Sequence, residues 1–450
     1  MVHPNDSKNY DAIIVGAGFA GLIAARELTM LGHRVLILEG RDRIGGRTWT
    51  DHRLGADLEM GGTYVHWYQP HIWSEITRYN LEIYRSPAAK KAYWITGGKL
   101  RSGTPQELND IVKECFEGLM AEANKYLPLP FSPLHSSAFK ELDGTTVREY
   151  LEQFDLTTEE YDFLSSLLAT DFNGPPGEGA ITQMFRWWAF SNGNRYVFSD
   201  TVAGFKIKTG TRSLINGIAS DVNADIQLST TVTSIEQKEG RVTVYSEDGQ
   251  RYQANAVIVT SPLSVLDRIN FEPPLSKVKQ AFAKEGQISK GVKVWARVKG
   301  EIEPFVCYAP AEYPLNCVNF DTMVDGDSII VGFGPDANSL DPNDCHAVEK
   351  ALRLWLPDIE VVESTGHNWA ADELSLESWT MLKPNQLTAY AEEMKQPENG
   401  VFLAGTAYAN GWGGFIDGAI ESGITTSRKV HEYLGAKKSA NAAVSPTEAT

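Results

Sequence analysis

Apolar positions near the start of the chain fall into two short continuous runs with a helical pattern between them. Residues 11–15, Asp-Ala-Ile-Ile-Val, lead into Gly16-Ala-Gly18-Phe-Ala20-Gly21. Leu22, Ala25, Leu28 and Leu31 then recur at helical spacing until Gly32. A second run, Val35-Leu-Ile-Leu, ends in Glu39. Short continuous runs suit strands buried on both faces, and recurrence every three or four residues suits a helix with one packed side. The pattern predicts parallel strand, glycine turn, helix and parallel strand. Gly16 permits the tight turn, Gly18 lets backbone approach a pyrophosphate, and Gly21 lets helix and strand pack closely. The helix start favours phosphate charge, and Glu39 is placed to bond a ribose hydroxyl. Glycine turns alone are common, but this ordered set favours dinucleotide binding over an incidental turn.

The pattern changes further along. From about 85 to 202 long helical stretches dominate, such as 106–126 and 146–169, with turn signals at Leu127-Pro-Leu-Pro and Gly174-Pro-Pro-Gly. This reads as a helical insertion. In the aromatic stretch 183–190, helix packing accounts for Phe185 and Trp188. Strand patterns return at 228–235 and 241–245, flanking Gly240, and at 254–260 before Ser261-Pro262. Runs at 293–298 and 328–333, with a helix near 347–356, suggest a second sheet. Finally Gly400-Val-Phe-Leu-Ala-Gly405-Thr406 leads through Gly411-Trp-Gly-Gly414-Phe415-Ile416 into a small-residue helix start, a second place for a flat or anionic ligand.

The predicted fold is α/β, with two parts. Residues 9–84, 203–286 and 398–434 form a discontinuous Rossmann-like dinucleotide-binding domain. Residues 85–202 and 287–397 form an α+β substrate-binding domain with a mixed sheet and the helical insertion. Residues 435–450, rich in Ala, Lys, Ser and Pro, read as a disordered tail.

Composition narrows the function classes. Apolar residues make up 42% and charged residues 22% of 450, as in soluble globular proteins. The 41 basic and 58 acidic side chains leave a net charge of −17, which disfavours nucleic acid and mildly favours a cationic small substrate. Cys115, Cys307, Cys317 and Cys345 show neither CxxC nor metal-ligand spacing, so no metal is expected and free thiols suit a reducing compartment. The N-terminus lacks a secretory pattern, and no apolar run approaches the roughly 20 residues of a membrane helix. The expectation is a soluble cytoplasmic protein that binds no membrane, with a homodimer as the candidate assembly.

Two loops carry the remaining candidate chemistry. Arg41-Asp-Arg-Ile-Gly45-Gly46-Arg47 places a glycine pair between arginines, which suits backbone lying against phosphate with Arg41 or Arg47 supplying charge. Gly61 and Gly62 in Glu59-Met-Gly-Gly-Thr63-Tyr64 suggest close approach to something flat or bulky. Tyr64, His66 and Trp67 either line that site or belong to the core.

These motifs together, over about residues 9–434, resemble the flavin amine oxidase family, and are most similar to its soluble fungal monoamine oxidases. The resemblance implies FAD as cofactor, molecular oxygen as oxidant and a small amine as substrate. It implies pyrophosphate contacts from Gly16, Gly18 and Gly21 and a ribose contact from Glu39. Arg41, Gly46 and Arg47 would follow the diphosphate and ribityl chain, Gly61 to Tyr64 would lie by the isoalloxazine, and Val232 would meet the adenine through its backbone. Thr406, Phe415 and Ile416 match the C-terminal contacts, and Ala20, Gly40, Gly45, Gly62, Thr63, Trp369, Gly405 and Gly414 complete the cofactor set. Trp379 and Phe415 match the family's facing aromatic walls, with Tyr64 beside them in the substrate pocket. Two facing rings would attract a cationic amine by about 0.5–2 kcal/mol. Lys290 falls where many members hold a lysine near the flavin, although Lys293 is close by. Ser378 stands where mitochondrial members carry the cysteine that bonds the flavin, so the FAD is expected to be non-covalent. Ala407 replaces an acidic residue common in the family.

The implied reaction moves the equivalent of a hydride from a neutral amine to the flavin. The imine hydrolyses to aldehyde or ketone, and oxygen is reduced to hydrogen peroxide. Catalysis would rest on Trp379, Phe415 and Lys290. The alternatives are an oxidase of cyclic or secondary amines such as nicotine-like alkaloids, an L-amino-acid oxidase using Arg186 or Arg195 for the carboxylate, a polyamine oxidase, and a flavoprotein scaffold without turnover.

Overall fold

The computed structural model describes residues 9–444. Its first sheet is built on the strand Tyr10–Val15, which pairs in parallel with Val35–Leu38 on one side and Arg251–Val259 on the other. Asp225–Gln227 extends the sheet beyond Val35–Leu38, and Val401–Leu403 pairs in parallel with Arg251–Val259. Start, middle and end of the chain therefore meet in one sheet. Side chains alternate between its two faces. Ile13, Val15, Leu36, Leu38, Val257 and Val259 enter one core, whereas Ala12, Ile14, Val35, Ile37, Ala256 and Ile258 enter another. Both faces are covered, which is why these strands read as unbroken apolar runs. Each fully buried Val, Leu or Ile contributes about 1.5–3 kcal/mol.

The helix Phe19–Met30 covers one face and lies against the C-terminal helix Ile416–Val444. A Cβ on Gly21 would stand 2.0 Å from the Gly16 carbonyl oxygen, so no side chain fits there, and Gly16 itself turns through a φ of +104°. Val232–Lys238 and Arg241–Ser246 form the expected antiparallel hairpin. Glu239 and Gly240 both have positive φ, as a two-residue turn of the favoured hand requires.

The second sheet runs Val361–Thr365, Val292–Val298, Asp327–Gly334, Cys317–Val324, Phe305–Tyr308, Lys91–Thr96, Lys99–Gly103. It is antiparallel except where Phe305–Tyr308 runs parallel to Lys91–Thr96. Two of its strands thus precede the helices between residues 105 and 203, so the insertion is not purely helical. The helix Thr158–Phe172 starts at a capping box of Thr157 with Glu160, and Asn173 ends it in a left-handed conformation.

The tail expectation needs correction. The last helix continues through 435 to Val444, because alanines and lysines are good helix formers. The remainder, 445–450, lies outside the described residues. Among the described residues, no helix is long and apolar enough to cross a membrane.

Candidate active site

A cavity of about 600 Å³ runs from the glycine turn of the first sheet to the inner face of the second. At one end lie Gly16, Gly18, Ala20, Glu39, Gly40 and Val232. The Glu39 carboxylate accepts the N–H of Ala17 (2.7 Å) and of Arg41 (2.8 Å), which ties the glycine turn to the end of the second strand. The helix Phe19–Met30 has no side-chain cap and no acid in its first turn, and Phe19 and Ala20 are buried. A buried helix start without partners calls for a ligand, and its dipole selects an anion. Gly18 and Gly46 face each other there. A Cβ on Gly46 would come within 3.5 Å of the Gly18 Cα, filling the cradle. These features fit the phosphates of a dinucleotide.

The loop 41–48 is braced from across the cavity. Arg41 makes two bonds to Asp372 (2.9 and 2.7 Å) and one to Ser375 (2.9 Å). Burial opposes ionisation of Asp372, but hydrogen bonds from His367 and Arg41 outweigh it and hold the carboxyl well below its usual range. Arg47 donates to Glu377 (2.6 Å) and to the Ser378 carbonyl (2.8 Å). Both arginines line the cavity, as do Gly45 and Gly46.

The middle is walled by Gly61, Gly62, Thr63, Tyr64 and Trp369. Trp369 donates its indole N–H to the Met60 carbonyl (2.9 Å). A Cβ on Gly61 would lie 1.9 Å from the Arg47 oxygen and 3.1 Å from the Trp369 ring, so only glycine fits. Lys293 is the lysine of this region. Its ammonium donates to the carbonyls of Glu59 (2.7 Å) and Gly61 (3.1 Å) and to Thr63 Oγ1 (2.7 Å). Burial lowers its pKa to about 7, with nearby Lys206 adding to the effect and Glu59 and Asp321 opposing it. Lys290 is different. Its side chain is exposed and absent from the cavity wall, because the Asn173 carbonyl holds its N–H outside the strand that begins at Val292. Lys290, the lysine expected near the cofactor, therefore lies off the cavity wall, and Lys293 is the one that faces it.

Gly405, Thr406, Gly414, Phe415 and Ile416 close the cavity from the C-terminal side. Thr406 Oγ1 accepts the Gly414 N–H (2.7 Å) and donates to the Phe415 carbonyl (3.1 Å), fixing the aromatic loop. Phe415 stands edge-on to Trp187 (4.8 Å) and Trp412 (5.2 Å). Trp379 donates its indole N–H to the Asp171 carbonyl (2.8 Å) and lines the same space. Gly21 is the one predicted cofactor residue off the wall; it acts behind it, through packing.

Sequence reasoning missed Asp171, Asn173, Trp187, Cys317 and Phe333, which all line the cavity. Asp171 left one usable signal, a carboxylate inside an otherwise apolar helix end, Leu167-Leu-Ala-Thr-Asp-Phe. Arg186, a candidate for a substrate carboxylate, instead donates to the carbonyls of Ala409, Asn410 and Gly411. Arg195 bonds the Asn109 carbonyl, and neither arginine reaches the cavity.

A buried glycine cradle continuous with an aromatic, largely apolar pocket suits an enzyme that holds a dinucleotide cofactor beside a small molecule. The chain matches the family described as flavin containing amine oxidoreductase over residues 19–431, and it belongs to that family. It is 37% identical over 438 residues to a pseudooxynicotine dehydrogenase from Pseudomonas sp, covering 96% of this chain and 88% of the relative. It is 34% identical over 436 residues to a nicotine dehydrogenase from Pseudomonas putida, covering 95% and 89%. The fold is similar to that of a putrescine oxidase solved with putrescine, with a TM-score of 0.82, 21% identity and coverage of 94% and 99%. The protein is thus a flavin-dependent amine oxidoreductase with a Rossmann-like cofactor sheet and a separate substrate sheet.

Proposed function

We propose that the protein binds FAD non-covalently and oxidises a small amine to an imine, with oxygen as acceptor and hydrogen peroxide as product. On this reading residues 9–84, 203–286 and 398–434 hold the cofactor, and 85–202 and 287–397 shape the substrate pocket. The observation that carries it is the single cavity that joins the glycine cradle to Trp379 and Phe415. Bound FAD supplies the redox chemistry. The chain supplies position and desolvation. Gly16, Gly18, Ala20 and Glu39 hold the adenosine diphosphate end, and Gly61 to Tyr64, Trp369, Gly405, Thr406 and Ile416 hold the remainder. Trp379 and Phe415 confine the amine and exclude water, and their ring faces attract its charge before it is deprotonated. Lys293, poised between charged and neutral near pH 7, can hold or release a proton beside the reacting groups.

Non-covalent binding is supported by the chemistry at Ser378, whose hydroxyl bonds Ser289 (2.5 Å) and Asn173 (2.7 Å). Of the four cysteines only Cys317 lines the cavity, and burial pushes its thiol up to about 12, so it is no nucleophile. A second reading concerns only the acceptor. The two Pseudomonas relatives are named dehydrogenases, which favours an electron acceptor other than oxygen. Anaerobic amine should bleach the flavin, and air should restore its absorbance with equimolar peroxide. Bleaching without rapid recovery in air would select the second reading, and no bleaching by any of a broad amine panel would refute the proposal.

A further inference from the structure

Two buried charges of opposite sign stand just outside the cavity and have no role in the scheme above. Arg186 lies on the helix Ile181–Phe190 and Glu421 on the helix Ile416–Val444, and both side chains are buried. Between them runs the irregular backbone of residues 409–411. Buried peptide groups outside helices and sheets need partners, and here the two charges supply them. One guanidinium nitrogen of Arg186 donates to the carbonyls of Ala409 (3.1 Å), Asn410 (3.1 Å) and Gly411 (3.2 Å). The Glu421 carboxylate accepts the N–H groups of Asn410 (2.9 Å) and Gly411 (2.8 Å). The same peptide groups are thus held by a cation at their oxygens and an anion at their nitrogens, and hydrogen bonds to ionised groups are the stronger kind. Burial pushes the guanidinium down to about 10, against the pull of Glu421 and Asp143, so it stays charged at neutral pH. A Cβ on Gly411 would lie 2.6 Å from the Glu421 carboxylate and 2.7 Å from the Phe131 ring, so this grip leaves no room for a side chain. The held segment runs directly into the aromatic wall. Trp187, the neighbour of Arg186 on its helix, donates to the Gly413 carbonyl (3.2 Å), and its ring meets Phe415 edge-on at 4.8 Å. Trp187 and Phe415 line the cavity, whereas Arg186 and Glu421 do not.

We propose that Arg186 and Glu421 are positioning residues: by clamping the backbone of 409–411 from opposite sides, they fix the Phe415 ring against Trp187 at the substrate pocket. The inference rests on the amine-oxidation reading, in which that ring confines the amine, and it adds the groups that decide where the ring stands. The charges matter here, beyond the volume of the side chains. An amide at position 421 offers one oxygen to two N–H groups and turns a donor toward the other. A thioether at position 186 leaves three carbonyls without their donor. In either case the segment before Phe415 has to find new partners, and the ring moves with it.

The test makes E421Q and R186M in the FAD-loaded enzyme and reads two things. Fluorine NMR follows para-fluorophenylalanine in place of Phe415, and anaerobic stopped flow follows flavin reduction by butylamine and phenethylamine, each rate taken per bound flavin. Both variants should shift or split the fluorine resonance and lower the limiting reduction rate about tenfold, with a smaller change in the amine dissociation constant. An unmoved resonance would overturn the proposal. A moved resonance with an unchanged limiting rate would overturn it too, because the ring's place would then not matter to the reaction. Loss of melting temperature or flavin content alone, with neither readout changed, would leave the two charges a purely structural role and refute the proposal as well. Should R186M fail to fold, E421Q decides the matter, since glutamine keeps the volume of glutamate. Reduction by no amine of a broad panel would sink the amine-oxidation reading, while the fluorine resonance still decides whether the two charges hold the ring.

Discussion

Replacing Lys293 with methionine removes a buried ammonium but keeps a side chain of similar length. In the native protein the amine has three neutral acceptors, and burial lowers its pKa from 10.5 to about 7. In the unfolded chain it titrates near ~10.4. Below about pH 7 both states carry the proton, and the full cost of the buried charge weighs on the fold. Between the two values the unfolded state binds more protons, so stability rises with pH across this window. At about 1.4 kcal/mol per unit, the wild type should gain about 3 kcal/mol from pH 7 to 9.5 that the methionine variant does not. Loss of the three hydrogen bonds costs the variant about 1 kcal/mol each, but that cost does not change with pH. The pH-dependent part therefore isolates the charge. Urea melts of flavin-free wild type and K293M at several pH values would measure it. Their stability difference should shift steadily toward wild type as pH rises. A difference that stays flat across the window would refute the argument and show that the three oxygens keep the lysine charged.

Gly21→Ala should lower the melting temperature and the flavin content together, since its Cβ would meet the Gly16 oxygen at 2.0 Å. Trp379→Ala and Phe415→Ala should retain flavin yet slow its reduction by amine about tenfold or more, read by stopped flow; unchanged rates would remove both from the site. Glu377→Gln should weaken the hold on Arg47, seen as a higher FAD dissociation constant in fluorescence titration, with little change in the limiting reduction rate. Acid precipitation of the wild type should leave all flavin in the supernatant. Flavin that pellets with the protein would contradict non-covalent binding.

The cofactor end was legible in the sequence because each requirement there is local. A strand buried on both faces has to be continuously apolar, Gly16 is required by its own positive φ, and Gly21 by the Gly16 carbonyl five residues back. The substrate end was harder, for two reasons. Its walls come from distant segments, so Asp171 and Trp187 on helices meet Trp379 and Phe415 on loops only after folding. Lysine assignment also depends on strand register. Lys290 and Lys293 differ by three positions, and only the onset of the strand at Val292 decides which one faces inward. The resemblance supplied the pairing of Phe415 with Trp379, a residue that patterns alone would have left in the core.

The arginines of the loop 41–48 looked like a source of positive charge for phosphate, and their partners alter that account. Arg41 is neutralised by Asp372 and Arg47 by Glu377. Arg43 spends its guanidinium on the carbonyls of Ile44, Gly46 and Thr48 and packs over the rings of Trp49 and Trp369. Of the three, Arg41 and Arg47 line the cavity, and both bring charge that is already paired. The uncapped start of the helix Phe19–Met30 and the glycine backbone around it offer an attraction that does not depend on these two side chains. What the arginines do is mechanical. The hydrogen-bonding partners of Arg41 and Arg47 all lie in 372–378, immediately before Trp379, and ten residues before that tryptophan is Trp369 on the cavity wall. The ion pairs thus fasten the phosphate loop to the segment that carries both tryptophans. A displacement of one end must move the other, which makes the geometry of the aromatic pocket depend on how the glycine loop is held.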